Sequence, residues 1–511
     1  MTPAPPGPSV PMPVVEIDLA EPGAFRRPGG RVRIGPSGRA LGLVRLHGRP
    51  LGMAEASGHG PGELWQALAD TALREFPVAE EAPGGAGGAA AVAMARGAEG
   101  ASAGVSAPGL RSGPAVAQAP EISVIVATRN RAGMLRDCLD SLLALAYPRF
   151  EVIVVDNAPS DASTEKLIRR EYGRLRDRRG TARKRRPVVR YLREPVPGLA
   201  RAHNRGLAAA RGRIAAFTDD DTLVDPGWLT ALAAPFLADA RTGCVTGLIV
   251  PAELDTEAQV ALERHGAFAK GYAPRTWSLR APPEDPLFPF TAGRFGSGAN
   301  MAFRTDLLRE LGGFDPATGV GTPAHGGDDL LSFFRVLARG RSLAYEPGAI
   351  VWHRHRRTPE ALEAQAFGYG AGFGAYLAGA LVHEPRMLPA LLRRLPGGVR
   401  YALARSRGRA GVDTGIDTGP LDTATEVASS RIARLELRGL LYGPFGYLRS
   451  RREERRLRRR AGHGRSAPAP ALWLFGSGGR ARGVRAHPGT RRRGARGVPA
   501  HPGTRRRGGA R

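Results

Sequence analysis

Three carboxylates in a row, Asp219, Asp220 and Asp221, follow the apolar run RIAAF after a single threonine. Like charges packed this closely cost energy unless a cation or hydrogen-bond donors compensate them. Hard carboxylate oxygens suit Mg or Mn, and a divalent ion held there could bridge the phosphates of a nucleotide. The alternative is a solvated acidic turn capping a helix, although Asp225, ahead of Pro226 and Gly227, is better placed for that role. Asp156 and Asn157 end a second apolar run, EVIVV, and Thr128, Arg129 and Asn130 end a third, ISVIVA. Asp and Asn begin turns everywhere. Three successive strand ends that offer polar groups to one edge nevertheless describe a nucleotide crevice better than three unrelated turns. Arg201 and Asn204, at the start of a later helix, are further candidates for phosphate or ribose contacts.

A second acidic feature is HGGDDLLSFFRVL, where Asp328 and Asp329 precede helically spaced apolar residues. Acids at a helix N-terminus can simply answer its dipole. An aspartate beside another carboxylate can also have its pKa raised toward the useful range of a general base. Further on, AIVW runs into His353, Arg354, His355, Arg356 and Arg357, which could supply an imidazole to a metal and guanidinium groups to a diphosphate. A GxxxxGK[ST] phosphate loop, HExxH and CxxC are all absent from the sequence and no GxSxG follows a strand-like run, which leaves P-loop hydrolysis and serine-elbow chemistry poorly supported.

These residues need a frame. ISVIVAT, a helix with Leu135, Cys138, Leu139 and Leu142 at helical spacing, and EVIVVDN form a βαβ unit. The series continues through VVRYL, LARAHNRGLAAA and RIAAF, which predicts a parallel, helix-covered sheet with its ligand site beyond the carboxyl ends of the strands. Before it, VVEIDL, RVRIG and ALGLVRL, followed by the helical stretch PGELWQALADTALREF, predict a small α+β module over residues 1–80. The Ala/Gly-rich stretch 81–120 reads as a linker, and 121–360 as the catalytic domain. Residues 361–448 should be helical. They include an uncharged run of 17 residues, 366–382, with five glycines, at the short limit for a membrane span. Apolar residues alternating with Arg after it leave peripheral membrane contact and ordinary packing both open. The Arg-rich segment 449–511 repeats GVRAHPGTRRRGA and GVPAHPGTRRRGG with little apolar content, and reads as a disordered tail.

The net charge of +28 sits mostly in that tail, which holds 20 arginines against two glutamates, so a nucleic-acid role is an unfavoured reading of the charge. At roughly 100 to 200 residues per domain, 511 residues allow two to four domains. Two cysteines, Cys138 and Cys244, cannot build a disulfide framework. The amino terminus lacks a basic region followed by an apolar one, and the expected address is the cytoplasm or the inner face of the membrane.

Taken together, ISVIVATRNR, EVIVVDNAPSD, PGLARAHNRGLAAARGRIAAFTDDDT, GSGANMAFR with LGGFD, GGDDLLSFFRVL and VWHRH resemble a family 2 glycosyltransferase of the GT-A fold. The resemblance covers 121–360, just under half of the chain. It implies an α/β nucleotide-diphospho-sugar transferase sheet and inverting transfer of a sugar from a UDP-, dTDP- or GDP-linked donor to an acceptor hydroxyl. That acceptor would be lipid-linked or a polysaccharide. Thr128, Arg129, Asn130, Asp156 and Asn157 would line the nucleotide pocket with Arg201, and Asp220 would lie near the ribose. Asp219, Asp221 and His353 would hold Mn or Mg. Asp329 would deprotonate the acceptor, beside Asp328 where the family usually has Glu. Gly296 to Asn300, with Gly312, Gly313, Phe314 and Asp315, would shape the sugar and acceptor region. A nucleotidyltransferase with a similar sheet, and a nucleic-acid-binding protein acting through the Arg-rich tail, are the alternatives.

Overall fold

The computed structural model describes residues 11–33, 35–76, 119–173, 187–266, 268–406 and 423–463. All of them lie in one compact unit, Met1–Phe475. The expected linker, apart from Ala119 and Pro120, and the two repeats near the carboxyl terminus fall outside the described residues.

The first sheet contains β1 (Val14–Asp18), β2 (Phe25–Arg27), β3 (Arg31–Arg33), β4 (Gly38–Leu46) and β5 (Arg49–Gly58), in the order β3-β2-β1-β4-β5. Helix α1 (Pro61–Glu75) follows, with its proline in the first turn where no backbone N–H is needed. Successive strand residues face opposite ways, and both faces are covered. Val15, Ile17 and Val44 meet Leu64, Trp65 and Leu68 of α1. Val14, Leu41 and Leu43 meet Leu248, Val250, Ile350 and Trp352 of the large sheet. The expected runs form β1, β3 and β4. β2 and β5 are additions, since LGMAEASG in β5 lacks the β-branched residues that mark a strand.

The large sheet is built from β6 (Ile122–Thr128), β7 (Phe150–Asn157), β8 (Val188–Glu194), β9 (Ile214–Asp219), β10 (Thr222–Val224), β11 (Thr242–Pro251), β12 (Arg275–Trp277), β13 (Met301–Arg304) and β14 (Ser342–His353). Its order is β10-β14-β11-β13-β9-β6-β7-β8, with β12 on β14. β8, β7, β6 and β9 are parallel, as the βαβ pattern requires. Beyond them the wholly parallel expectation needs correction: β13 lies antiparallel between β9 and β11, and β10 and β12 are antiparallel to β14. Four-residue MAFR is too short for its pairing direction to be legible. The result is a mixed α/β sheet of parallel and antiparallel strands.

Helices cover both faces of the sheet. They are α2 (Ala132–Leu143), α3 (Ser163–Leu167), α4 (Leu199–Ala209), α5 (Trp228–Ala238), α6 (Glu257–Gly266), α7 (Thr305–Glu310) and α8 (Asp328–Ala338). Leu135, Cys138, Leu139 and Leu142 pack on Val124 and Val126, while Ala202 and Leu207 pack on the opposite face with Ile125.

The carboxyl-terminal region is helical: α9 (Pro359–His383), α10 (Leu388–Ser406) and α11 (Thr423–His463). The glycine-rich run lies in α9 and packs against α11. A Cβ at Gly370 would lie 1.8 Å from the Glu436 carbonyl oxygen, and one at Gly443 2.4 Å from that of Ala371. Glycine therefore lets two backbones touch here. Among the described residues no helix is long and apolar enough to cross a membrane. The tail expected from 449 begins as helix through His463, where Glu454 pairs with Arg458 one turn on and with Arg201 of α4. Those pairs compensate part of the arginine charge at the start of this segment.

Candidate active site

Strand register gathers the polar ends. Thr128 lies opposite Asp156 across β6 and β7, and Ala127 opposite Asp219 across β6 and β9. The chain then turns through Asp220 and Asp221 into β10, whose Thr222 is paired with His353 at the end of β14. Acids and imidazole from distant parts of the sequence thus reach one edge of the sheet.

One carboxylate oxygen each from Asp219 and Asp221 and a ring nitrogen of His353 lie within 4.8 Å of one another. His353 Nε2 is 3.3 Å from Asp221 Oδ1, a buried oxygen without a hydrogen-bond partner among the described residues. Two hard oxygen donors, an imidazole and an orphaned acceptor fit Mn or Mg, so these three residues could hold such an ion. Asp220 is committed elsewhere. It accepts from Thr128 Oγ1 at 2.7 Å and from Arg131 Nη1 at 3.2 Å. Arg131 also donates to Asp221 Oδ2 at 3.1 Å, and Arg356 Nη1 stands 3.7 Å from the same oxygen. Burial, then the neighbouring Asp221 and Asp220, push the Asp219 carboxyl well above the usual range. Burial acts the same way on Asp221, but His353, Arg356 and Arg131 outweigh it and hold that carboxyl well below the usual range.

The expected nucleotide residues divide into two groups. Asp156 Oδ2 accepts from the Tyr191 hydroxyl at 3.0 Å, while its Oδ1 is buried and unpartnered among the described residues. Burial pushes this carboxyl up to about 6. Arg129 is exposed. The others hold loops: Asn130, at φ 56°, accepts from the Ser160 N–H at 3.0 Å. Asn157 donates to the Val196 carbonyl and accepts from the Gly198 N–H, both at 2.9 Å, fixing the entry to α4. Arg201 is paired with Glu454. Asn204 brackets Phe314, accepting from its N–H and donating to its carbonyl at 2.8 Å.

Asp328 and Asp329 open α8 after Gly327, which has φ 85°. That turn rests on α9: a Cβ on Gly327 would lie 2.2 Å from the Gly372 carbonyl oxygen. Asp329 Oδ2 accepts from the Gly298 N–H and its Oδ1 from the Leu330 N–H, both at 2.8 Å. Burial and the adjacent Asp328 push its carboxyl up to about 6 against those two hydrogen bonds. Asp328 is buried, with Oδ2 3.3 Å from Nδ1 of the buried His203. Asp315 accepts from His383 Nε2 and the Tyr447 hydroxyl at 2.8 Å, joining the LGGFD turn to the carboxyl-terminal helices.

Sequence reasoning missed Arg131, His203 and Glu263. Arg131 closes the string ISVIVATRNR, directly after the three residues expected to line the pocket. His203 meets Asp328, and Glu263 of α6 meets His355 beside His353, both through contacts across the fold that no local spacing marks.

Residues 123–312 match the family model described as Glycosyl transferase family 2. The chain is 27% identical over 237 residues to the pre-mycofactocin glycosyltransferase of Mycobacterium tuberculosis, covering 46% of this chain and 43% of that protein. It is 23% identical over 207 residues to the glucosyl-dolichyl phosphate glucuronosyltransferase of Haloferax volcanii, covering 39% and 57%. The chain thus spans about half the length of these curated relatives. A solved mannosyltransferase from Pyrobaculum calidifontis, in complex with GDP-Man and Mn2+, aligns at 20% identity and a TM-score of 0.41, covering 64% of this chain and 88% of that one. Asp328, Asp329 and His353 follow the segment matched by the family. That segment, residues 123–312, is a glycosyl transferase family 2 domain.

Proposed function

We propose that this protein moves a sugar from a nucleoside diphosphate donor to an acceptor hydroxyl with inversion at the anomeric carbon. The observation that carries the reading is the meeting of Asp219, Asp221 and His353 within 4.8 Å at the carboxyl edge of a family 2 domain. A divalent ion held by these three, Mn or Mg, would offset the charge that grows on the leaving diphosphate.

The chain's own groups account for the remaining steps. The unpaired Asp156 Oδ1 accepts from an N–H of the nucleotide base. Thr128 and Arg131 hold Asp220 toward the ribose, and Arg129 and Arg356 face the phosphates. Asp329, fixed by the Gly298 and Leu330 N–H groups, takes the acceptor's hydroxyl proton. That oxygen forms the new glycosidic bond as the bond from the anomeric carbon to the diphosphate breaks, and the nucleoside diphosphate departs. Asp328 stays beside the base as its electrostatic neighbour. The side chains of Asn157 and Arg201 position the loop and α11 rather than the donor.

The proposed division is an N-terminal module at 1–80, a linker at 81–120, a catalytic domain at 121–360 and a helical region at 361–448, with the basic segment after it. Leu388, Leu392 and Leu395 on α10, and Leu441, Phe445 and Leu448 on α11, are exposed at one-face helical spacing. Exposed Arg449, Arg452, Arg455 and Arg456 follow them. This pattern supports peripheral contact with an anionic leaflet and a lipid-linked acceptor.

The test is release of nucleoside diphosphate from UDP-, dTDP- and GDP-sugars by the full chain, with Mn, Mg or chelator, on vesicles carrying polyprenyl phosphate. Metal-dependent release from one donor is expected. Silence across the panel with folded protein, together with no donor binding by calorimetry, would overturn the reading. Cosedimentation with anionic vesicles should be lost in Phe445→Glu/Leu448→Glu; retention would remove the membrane contact.

A further inference from the structure

His353 does not stand alone. Its Nδ1 lies 3.2 Å from Nδ1 of His355, and His355 Nε2 lies 2.5 Å from Oε1 of Glu263 on α6. All three residues are buried, at 7%, 3% and 8% exposure, so water does not compete for these contacts. Gln259, one turn earlier on α6, donates from Nε2 to the His355 carbonyl at 3.2 Å. Phe268 stacks on the His355 ring, with centroids 5.6 Å apart, and meets the His353 ring edge-on at 5.0 Å. The two rings are therefore fixed in position by α6 and the residues after it.

The chemistry of the atoms sets where the protons lie. To ligate through Nε2, the atom facing Asp221, His353 must carry its proton on Nδ1. That proton needs an acceptor, and the neighbouring atom is His355 Nδ1, which accepts only when its own proton is on Nε2. Glu263, an acceptor when ionised, stands at that Nε2. With both rings neutral and Glu263 ionised, one assignment satisfies every contact in the series from Glu263 through His355 to His353. We infer that Glu263 and His355 are positioning residues for a divalent cation at Asp219, Asp221 and His353, locking His353 in the tautomer whose Nε2 lone pair faces the carboxylates. The inference rests on the metal site proposed above and extends it to a helix that contributes no ligand. Partners one step behind a metal ligand typically change metal affinity by about 10- to 100-fold when removed.

The experiment is Mn2+ titration of the full chain by electron paramagnetic resonance without donor, with pulsed detection of nitrogen-14 coupling to the bound ion. Wild type should bind Mn2+ with a nitrogen coupling that disappears in His353→Ala. Glu263→Ala should weaken Mn2+ binding about 10-fold or more and diminish the coupling, whereas Glu263→Gln, which keeps an acceptor oxygen, should stay within about threefold of wild type. A thermal melt in metal-free buffer checks folding. If Glu263→Ala does not fold, Glu263→Leu with His355→Phe replaces the pair by apolar groups of similar size and should show the same loss. Wild-type affinity and coupling in Glu263→Ala, or in the double variant, would overturn the inference. Equal weakening in Glu263→Gln and Glu263→Ala would also overturn it, because the acceptor atom would then not matter. Absence of nitrogen-coupled Mn2+ in wild type would instead overturn the metal site itself, and this inference with it.

Discussion

The Gly298 N–H donates to Oδ2 of Asp329 across 2.8 Å, joining the loop before β13 to the first turn of α8. A Cβ at Gly298 would stand 3.4 Å from the same oxygen, an ordinary contact, so the approach of this backbone to the acid does not depend on the glycine. The carboxylate is therefore aimed by two backbone donors before any substrate arrives.

Asp329→Asn keeps the size of the side chain and one acceptor oxygen but cannot take a proton. Transfer should fall by about 10² to 10⁴-fold, the usual contribution of a positioned general base. Donor affinity, measured by calorimetry, should change little because the proposed nucleotide contacts lie at the ends of β6, β7 and β9. A variant as active as wild type would remove Asp329 from the role of base.

The pH dependence follows from the same residue. Burial first, and the charge of Asp328 second, push the Asp329 carboxyl up to about 6. The base works only when ionised, so turnover at saturating donor should rise as pH increases through about 6 and level off above it. Asp328→Asn removes the second cause and leaves the first, and should move the rising limb part of the way toward lower pH. A profile flat from pH 5 to 8, with chemistry shown to limit turnover, would contradict the assignment.

Arg45 connects the small sheet to the large one. Its Nη2 lies 2.9 Å from Glu16 Oε2 and 2.6 Å from Asp225 Oδ2, all three side chains being nearly buried. Arg45→Met should destabilise the protein by about 3–5 kcal/mol in denaturant titration, since it takes the buried cation from Asp225 and leaves Glu16 only Arg26, 3.4 Å away. Adding Glu16→Gln and Asp225→Asn should restore part of that loss. If Arg45→Met unfolds at the wild-type midpoint, the N-terminal sheet is not held by this pair.

The legible part of the site was its strand ends. Thr128, Asp156 and Asp219 each close an apolar run, so period and position alone brought them to one edge, and β14 announced His353 in the same way. What escaped was set by contacts between distant segments. Asn157 and Arg201 have the right chemistry for a nucleotide, yet nothing local shows that one bonds to the loop 196–198 and the other to Glu454. Glu263 sits on a helix with ordinary amphipathic spacing, and its value comes from His355, 92 positions away. The glycines of α9 carried a real signal, close backbone approach, but spacing could not distinguish a membrane neighbour from a soluble one.

That close approach gives the last prediction. Gly372 lies in α9 directly under the turn that presents the acid pair: a Cβ added there would come within 2.9 Å of Gly326 Cα and carbonyl carbon and of Gly327 nitrogen. These are backbone atoms, so the turn must move to accommodate a methyl group. Gly327, at φ 85°, leads straight into Asp328 and Asp329, and any displacement is passed to the carboxylate that Gly298 holds. Overpacking of this kind costs about 1–3 kcal/mol, while a shift of about 1 Å at a reacting group can cost 10²-fold in rate. Gly372→Ala should therefore lose far more turnover than stability, with donor affinity retained. Gly398, whose added Cβ would meet nothing within 4 Å, serves as the control, and Gly398→Ala should leave turnover unchanged. Equal turnover in Gly372→Ala and wild type would show that the turn is not positioned by α9.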